Sequence, residues 1–270
     1  MAYLFDENKY ADDGSFSSAG SAYANKGFSV GFYHIPQNES IYFKAFITSF
    51  AEVYNSSWSF EQVFGRADGI PNFKSTSRRI TLGFKVLATT RGEAYENLAK
   101  AQRLAQYLYP NYEDPNNATS MVQSSLVRLK VMNLVQRTGV GGVTTGDPNS
   151  IFNSYKALEG AFNGVAGVIS SVTVNFNVAG DDGTVVEKAN GTGLADGTVL
   201  PLYMDISVEF SPIHERTLGW FKEGESAFFV TPTYPYHAAL EGDSGQELSD
   251  FSSASSATVA SSSEAQDAAA

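Results

Sequence analysis

The sequence predicts an α+β fold: an antiparallel β-sheet, closed into a barrel or folded over, with one main flanking helix. Three observations lead there. Several stretches alternate apolar and polar residues with period two, as half-buried strands do. One stretch, Arg91–Tyr109, changes to a period near 3.6. The strands outnumber the helices and do not alternate with them as in a doubly wound parallel sheet.

Taken in order, residues 1–39 read as an irregular N-terminal arm. Its first part is rich in Ser, Ala, Gly and Asn, with Tyr3, Phe5, Tyr10, Phe16 and Tyr23 as aromatic anchors. A single β domain is expected over residues 40–240. Its first strand is Ser40–Tyr54, with Ile41, Phe43, Ala45, Ile47, Ser49, Ala51 and Val53 on one face. Tyr42, Lys44, Phe46, Thr48, Phe50, Glu52 and Tyr54 occupy the other. Both faces are apolar, so two covers are needed, and a neighbouring subunit is the expected second one. Arg79–Ala88 follows with Ile80, Leu82, Phe84, Val86 and Ala88 inward.

The helix is expected at 91–109, burying Ala94, Leu98, Ala101, Ala105 and Leu108, with Glu93 and Glu96 early and Pro110 as its stop. Strands return at 126–135, at 168–178 (Val168, Val172, Val174 and Phe176 on one face) and at 202–211. In the last, Leu202, Met204, Ile206, Val208 and Phe210 oppose Tyr203, Asp205, Ser207 and Glu209. A weaker helix is expected over Asn149–Phe162, and glycine-rich loops over 139–146 and 180–197. The last thirty residues, 241–270, hold nine Ser, seven Ala, six acids and no Lys or Arg, and are expected as a flexible acidic tail.

Composition narrows the function. The chain has no Cys, which excludes disulfides, thiolate metal sites and a cysteine nucleophile. Its three histidines, His34, His214 and His237, lie in separate segments. The net charge is −11 and no basic patch is visible, against a nucleic-acid reader. No signal-peptide pattern and no apolar run of about 20 residues is present, so no membrane span is expected.

The local motifs stay below the patterns that chemistry needs. Asp181, Asp182 and Asp196 lack the spacing of a calcium loop. Gly139, Gly141 and Gly142 lack the Lys-Ser/Thr ending of a phosphate loop. His214-Glu215-Arg216 offers an acid and a base, but neighbours on an extended chain point to opposite sides. Arg66, Asp68, Arg78 and Arg79 read either as a polar turn clamp or subunit contact, or as solvated charges on a surface hairpin. No catalytic residue, metal or cofactor is expected. Two readings compete with a structural role: a glycan-binding β module using Tyr42, Tyr54, Tyr203 and Tyr234, and a hydrolase using His214 and Glu215.

Five blocks carry a resemblance. They are Trp58-Ser59-Phe60-Glu61-Gln62-Val63-Phe64-Gly65-Arg66-x-Asp68-x-Ile70, then Phe73-x-x-Thr76-x-Arg78-x-Ile80-x-Leu82-x-Phe84, then the helix Tyr95–Tyr112, then Ser125–Leu134, and last Phe210–Trp220. Their order and spacing resemble the tail and baseplate structural proteins of contractile-tailed bacteriophages, above all the small proteins that cap the baseplate hub and start the tail tube. A family proline after Asp68 is replaced by Gly69, with Pro71 two residues on.

The resemblance implies a tail-tube-like β fold and a virion structural protein, assembled in the host cytoplasm. It implies a ring of itself, six copies, placed at the baseplate–tube junction between tube and hub or wedge proteins. DNA would pass through the lumen without specific binding. A tube subunit or a wedge component is the alternative placement.

Overall fold

The computed structural model describes residues 27–44, 46–89, 91–114, 117–137, 155–177, 200–223, 226–231 and 233–238. The chain divides into two compact units, one of residues 1–132 and 159–213, the other of 133–158 and 214–270. The single domain expected over 40–240 is thus split. The expected arm also ends early, because Ser29–His34 is a strand. Residues 1–26, the tail 241–270 and the two glycine-rich loops lie outside the described residues.

The first unit is an antiparallel sheet with one helix. Its strands are β1 (Ser29–His34), β2 (Glu39–Lys44), β3 (Phe46–Glu61), β4 (Ile70–Leu87), β7 (Val127–Val131), β8 (Val165–Phe176) and β9 (Tyr203–Pro212). Helix α1 spans Arg91–Gln106, and a small separate hairpin joins β5 (Asn111–Asp114) to β6 (Asn117–Gln123). The seven strands run in the order β2-β1-β7-β8-β9-β4-β3. Every neighbouring pair is antiparallel.

The two edge strands, β2 and β3, are successive in the chain, with only residue 45 between Lys44 and Phe46. Two peptide links reach about 7 Å, so the sheet folds round until its edges meet at that corner. No ladder joins those edges, so the sheet is folded over and not closed into a barrel.

The expected strand Ser40–Tyr54 is therefore two strands on opposite edges. A bulge between Ile47 and Ser49 then flips the alternation, pairing Ile47 with Phe84, Phe50 with Leu82 and Glu52 with Ile80. Phe46 pairs with Lys85 and stands on the other face from Phe50, not beside it as an unbroken period of two requires. A second bulge, between Ile169 and Ser171 in β8, puts Ile169 inside and leaves Val168 exposed. Unbroken alternation had grouped Val168 with Val172 and Val174.

The core fills the fold of the sheet. Phe32, Phe43 and Phe84 meet there, with ring centroids 6.1, 6.4 and 5.2 Å apart. Ile80, Leu82, Leu129, Ile206, Val208 and Phe210 are buried with them. At Gly31 the missing Cβ leaves room: a methyl there would stand 2.9 Å from the Ala161 side chain and 3.1 Å from the Tyr42 ring. Tyr42 is buried, and its hydroxyl accepts the Ala161 N–H at 2.9 Å.

Helix α1 buries Ala94, Asn97, Ala101 and Leu104, not the expected Leu98 and Ala105. The shift follows from Asn97, which donates to the Leu87 carbonyl (3.2 Å) and so occupies a core-facing position that apolar periodicity skips. Glu93 ties the helix start down. Its Oε2 accepts from both the N–H and the hydroxyl of Thr89 at 2.8 Å, and its Oε1 pairs with Lys44 at the end of β2.

Burial pushes the Glu93 carboxyl up, but the Lys44 and Thr89 hydrogen bonds outweigh it, and the net shift is downward from 4.5. A depressed carboxyl stabilises the fold above its unfolded value and loses that contribution as pH falls through the folded value. Glu93→Gln should therefore cost about 1–2 kcal/mol at pH 7 and flatten the acid side of a urea-unfolding pH profile.

The second unit is held by a different device. Gln136 is fully buried; its side-chain amide donates to the Lys156 carbonyl (3.1 Å) and its Oε1 accepts the Leu158 N–H (2.8 Å). A hairpin of β10 (Trp220–Glu223) and β11 (Ser226–Phe229) belongs to this unit. The helix expected over Asn149–Phe162 is not formed in its described part. Residues 155–160 are irregular, and a single 3-10 turn, Ala161–Asn163, follows in the first unit.

Candidate assembly surface

The β4–β9 ladder ends at Ile80 opposite Phe210. Beyond it, among the described residues, β4 keeps only β3 as a neighbour, so residues 53–61 and 70–79 form a two-stranded ribbon. Nine or ten residues at about 3.3 Å each carry it about 30 Å past the sheet. At its tip, Gly65 takes φ 83° and the Arg66 N–H donates to the Val63 carbonyl (3.2 Å). Pro71 is tolerated in an arm where, among the described residues, no third strand pairs with β4.

The ribbon is amphipathic across its faces. Trp58 pairs with Phe73, rings edge-on at 5.2 Å, and Phe60 pairs with Pro71 on the same face. Ser59 opposite Asn72 and Glu61 opposite Ile70 make the other face. Trp58 and Phe73 are half-exposed, Phe60 is 68% exposed, and Phe64 at the tip is fully exposed. An isolated two-stranded hairpin is marginal in water, and an aromatic face left uncovered makes it more so. Among the described residues no strand pairs with the outer edge of β3. β3 runs for 16 residues with no Lys, Arg or Pro, the residues that keep an edge from pairing with other chains.

A buried clasp anchors the ribbon where it leaves the sheet. Arg78 donates from Nη2 to Glu52 Oε1 (2.8 Å) and from Nε to Oε2 (3.2 Å), and both side chains are almost wholly shielded from solvent. The Tyr54 hydroxyl also donates to Glu52 Oε2 (2.6 Å), and its ring lies under the guanidinium at 5.7 Å. This is the clamp side of the two readings the sequence left open for Arg78. Arg79 is exposed.

The other sequence candidates do not converge. Glu215 pairs with Arg137 (3.6 Å), while the His214 ring meets Tyr234 edge-on at 5.4 Å. His237 donates from Nε2 to the Arg137 carbonyl (2.8 Å); burial lowers its pKa, and that hydrogen bond offsets part of the effect. His34 is buried in the first unit. Among the described residues no group of three or more His, Asp or Glu could hold a metal ion. Asp181, Asp182, Asp196, Gly139, Gly141 and Gly142 lie outside them.

Of the four tyrosines of the glycan reading, Tyr42 is buried, Tyr54 serves the clasp, and Tyr203 donates to Asp205 (3.1 Å) beneath Lys85. Periodicity alone misses the clasp, because a charged pair on an alternating strand reads as its solvated face. No family model and no curated protein matches this sequence. Among the described residues no helix is long and apolar enough to cross a membrane.

Proposed function

We propose that this chain is a structural protein of a contractile bacteriophage tail, forming a ring at the baseplate–tube junction that starts or extends the tube. One observation carries the reading: the ribbon. The residues of the phage-like blocks from Trp58 to Phe84 are the last four residues of β3, the tip and most of β4. They build a projecting, aromatic, two-stranded arm with an open edge, which suits contact with another subunit better than catalysis.

Such head-to-tail contacts close into a ring when the rotation between copies fits the subunit number, six by the resemblance. By the resemblance DNA passes through the lumen without specific binding; Lys and Arg are what hold phosphates, and on the sheet face bearing Thr81, Ser207, Thr173 and Asn175 the Lys85 of β4 stands directly opposite the acid Asp205 of β9.

Negative-stain imaging with mass measurement of the purified protein tests the reading; rings with a pore are expected, and a monomer at all concentrations would sink it. Phe46 gives a sharper check, being exposed on β3 at the corner where the sheet edges meet. Phe46→Asp should abolish rings while the monomer keeps its unfolding midpoint. Capture by a tube protein, as against a wedge protein, then decides the position along the tail.

A further inference from the structure

His34 closes β1 on the core side of the alternation Val30, Phe32, His34, where an apolar residue would pack without cost. It is 3% exposed and lies flat on Tyr107, in the turn after α1, with centroids 4.6 Å apart and planes 8° from parallel. Tyr107 is 2% exposed. Neither His34 ring nitrogen nor the Tyr107 hydroxyl has a hydrogen-bond partner among the described residues. Three buried polar atoms without partners at one contact are unusual, since such groups are nearly always paired.

The surroundings are sparse in charge. Glu39 of β2 is directly opposite His34 in the ladder, and Val127 of β7 is opposite on the other side. Arg103 of α1 pairs with Glu39 (3.3 Å). The Ser125 hydroxyl donates to the Tyr107 carbonyl, holding the turn in place. Burial raises the Tyr107 pKa, so the phenol stays neutral throughout the range that matters here.

We propose that the His34–Tyr107 stack is an acid-released latch, which frees the last turn of α1 from the β1–β2 hairpin when the imidazole takes up a proton. The cation would present two N–H donors where neither has an acceptor, and charge without partners is far more costly to bury than a neutral ring. Burial accordingly holds the His34 pKa below 6.5, with Glu39 offsetting part of the effect.

The open state binds the proton more tightly than the closed one. The latch is therefore at full strength above pH 6.5 and weakens as pH falls from there to the folded value. Over that window the opening constant rises about tenfold per pH unit.

Hydrogen exchange between pH 7.5 and 5 tests this on the full chain. Protection factors of Leu104–Tyr109 should fall about tenfold per unit below pH 6.5, while those of the first turns of α1 hold. His34→Phe keeps the stack without the proton and should flatten the profile. Glu39→Gln should carry the decline to lower pH. An NMR titration placing His34 at or above 6.5, an equal loss in His34→Phe, or uniform loss along all of α1 would each overturn the latch. Where His34→Phe fails to fold, the titration and the position of the loss along the wild-type helix decide.

Discussion

Replacing Arg78 with Met is expected to lower the unfolding free energy by about 3–5 kcal/mol, far more than a surface charge would cost. The substitution roughly keeps the volume and removes both donors to Glu52. The carboxylate then loses the bidentate guanidinium while it stays almost fully enclosed, with the Tyr54 hydroxyl still donating to it. Desolvation that the bidentate pair had offset becomes a net penalty.

The double variant Glu52→Leu/Arg78→Met should recover most of the loss, because a well-packed apolar pair can replace a buried ion pair at little or no cost. Urea unfolding of both singles and the double gives the coupling directly. A single-variant loss under about 1 kcal/mol would place the pair with ordinary surface bridges and remove its role as the ribbon's anchor.

The clasp also shows what the sequence makes legible and what it hides. Period-two patterns in 79–88 and 202–211 locate β4 and β9 with the correct buried sets, Ile80, Leu82, Phe84 and Val86 against Met204, Ile206, Val208 and Phe210. Those strands are regular, and their alternation runs without interruption. Where a bulge intervenes, the pattern misleads: one extra residue at Ile47/Ser49 or at Ile169/Ser171 turns every later side chain over.

Long-range partnership is hidden for another reason. Nothing in 40–54 signals that β2 and β3 part to opposite edges, because that depends on β1 standing between β2 and β7, and the composition of residues 29–34 gives no sign of that strand. Asn97 and His34 fail in the same way. Each is a polar residue on a buried face, and only its neighbours in space explain it. Of the assembly surface, the aromatic residues were legible in the Trp58–Phe84 blocks. The ribbon's projection was not, since it depends on where β9 stops pairing.

That projection sets the second large effect. Phe60 and Trp58 cover little of their own subunit: they are 68% and 50% exposed, on a two-stranded arm with the sheet far behind it. On the ring proposal they are the residues a neighbouring copy buries, and central aromatic contacts in interfaces carry about 2–4 kcal/mol each. Phe60→Ser should therefore weaken self-association about 30- to 1000-fold while shifting the unfolding free energy by less than about 1 kcal/mol.

Trp58→Ser should do the same with a somewhat larger cost to the monomer, since it also breaks the edge-on contact with Phe73, worth about 0.5–1.5 kcal/mol. Sedimentation across a concentration series, read beside urea unfolding, separates the two effects. Unchanged association with a destabilised monomer would mean that the aromatic face only braces its own hairpin. The open edge of β3 would then be the surface left to join the copies, and charged substitutions along it, beginning with Val53→Lys, would have to break the ring instead.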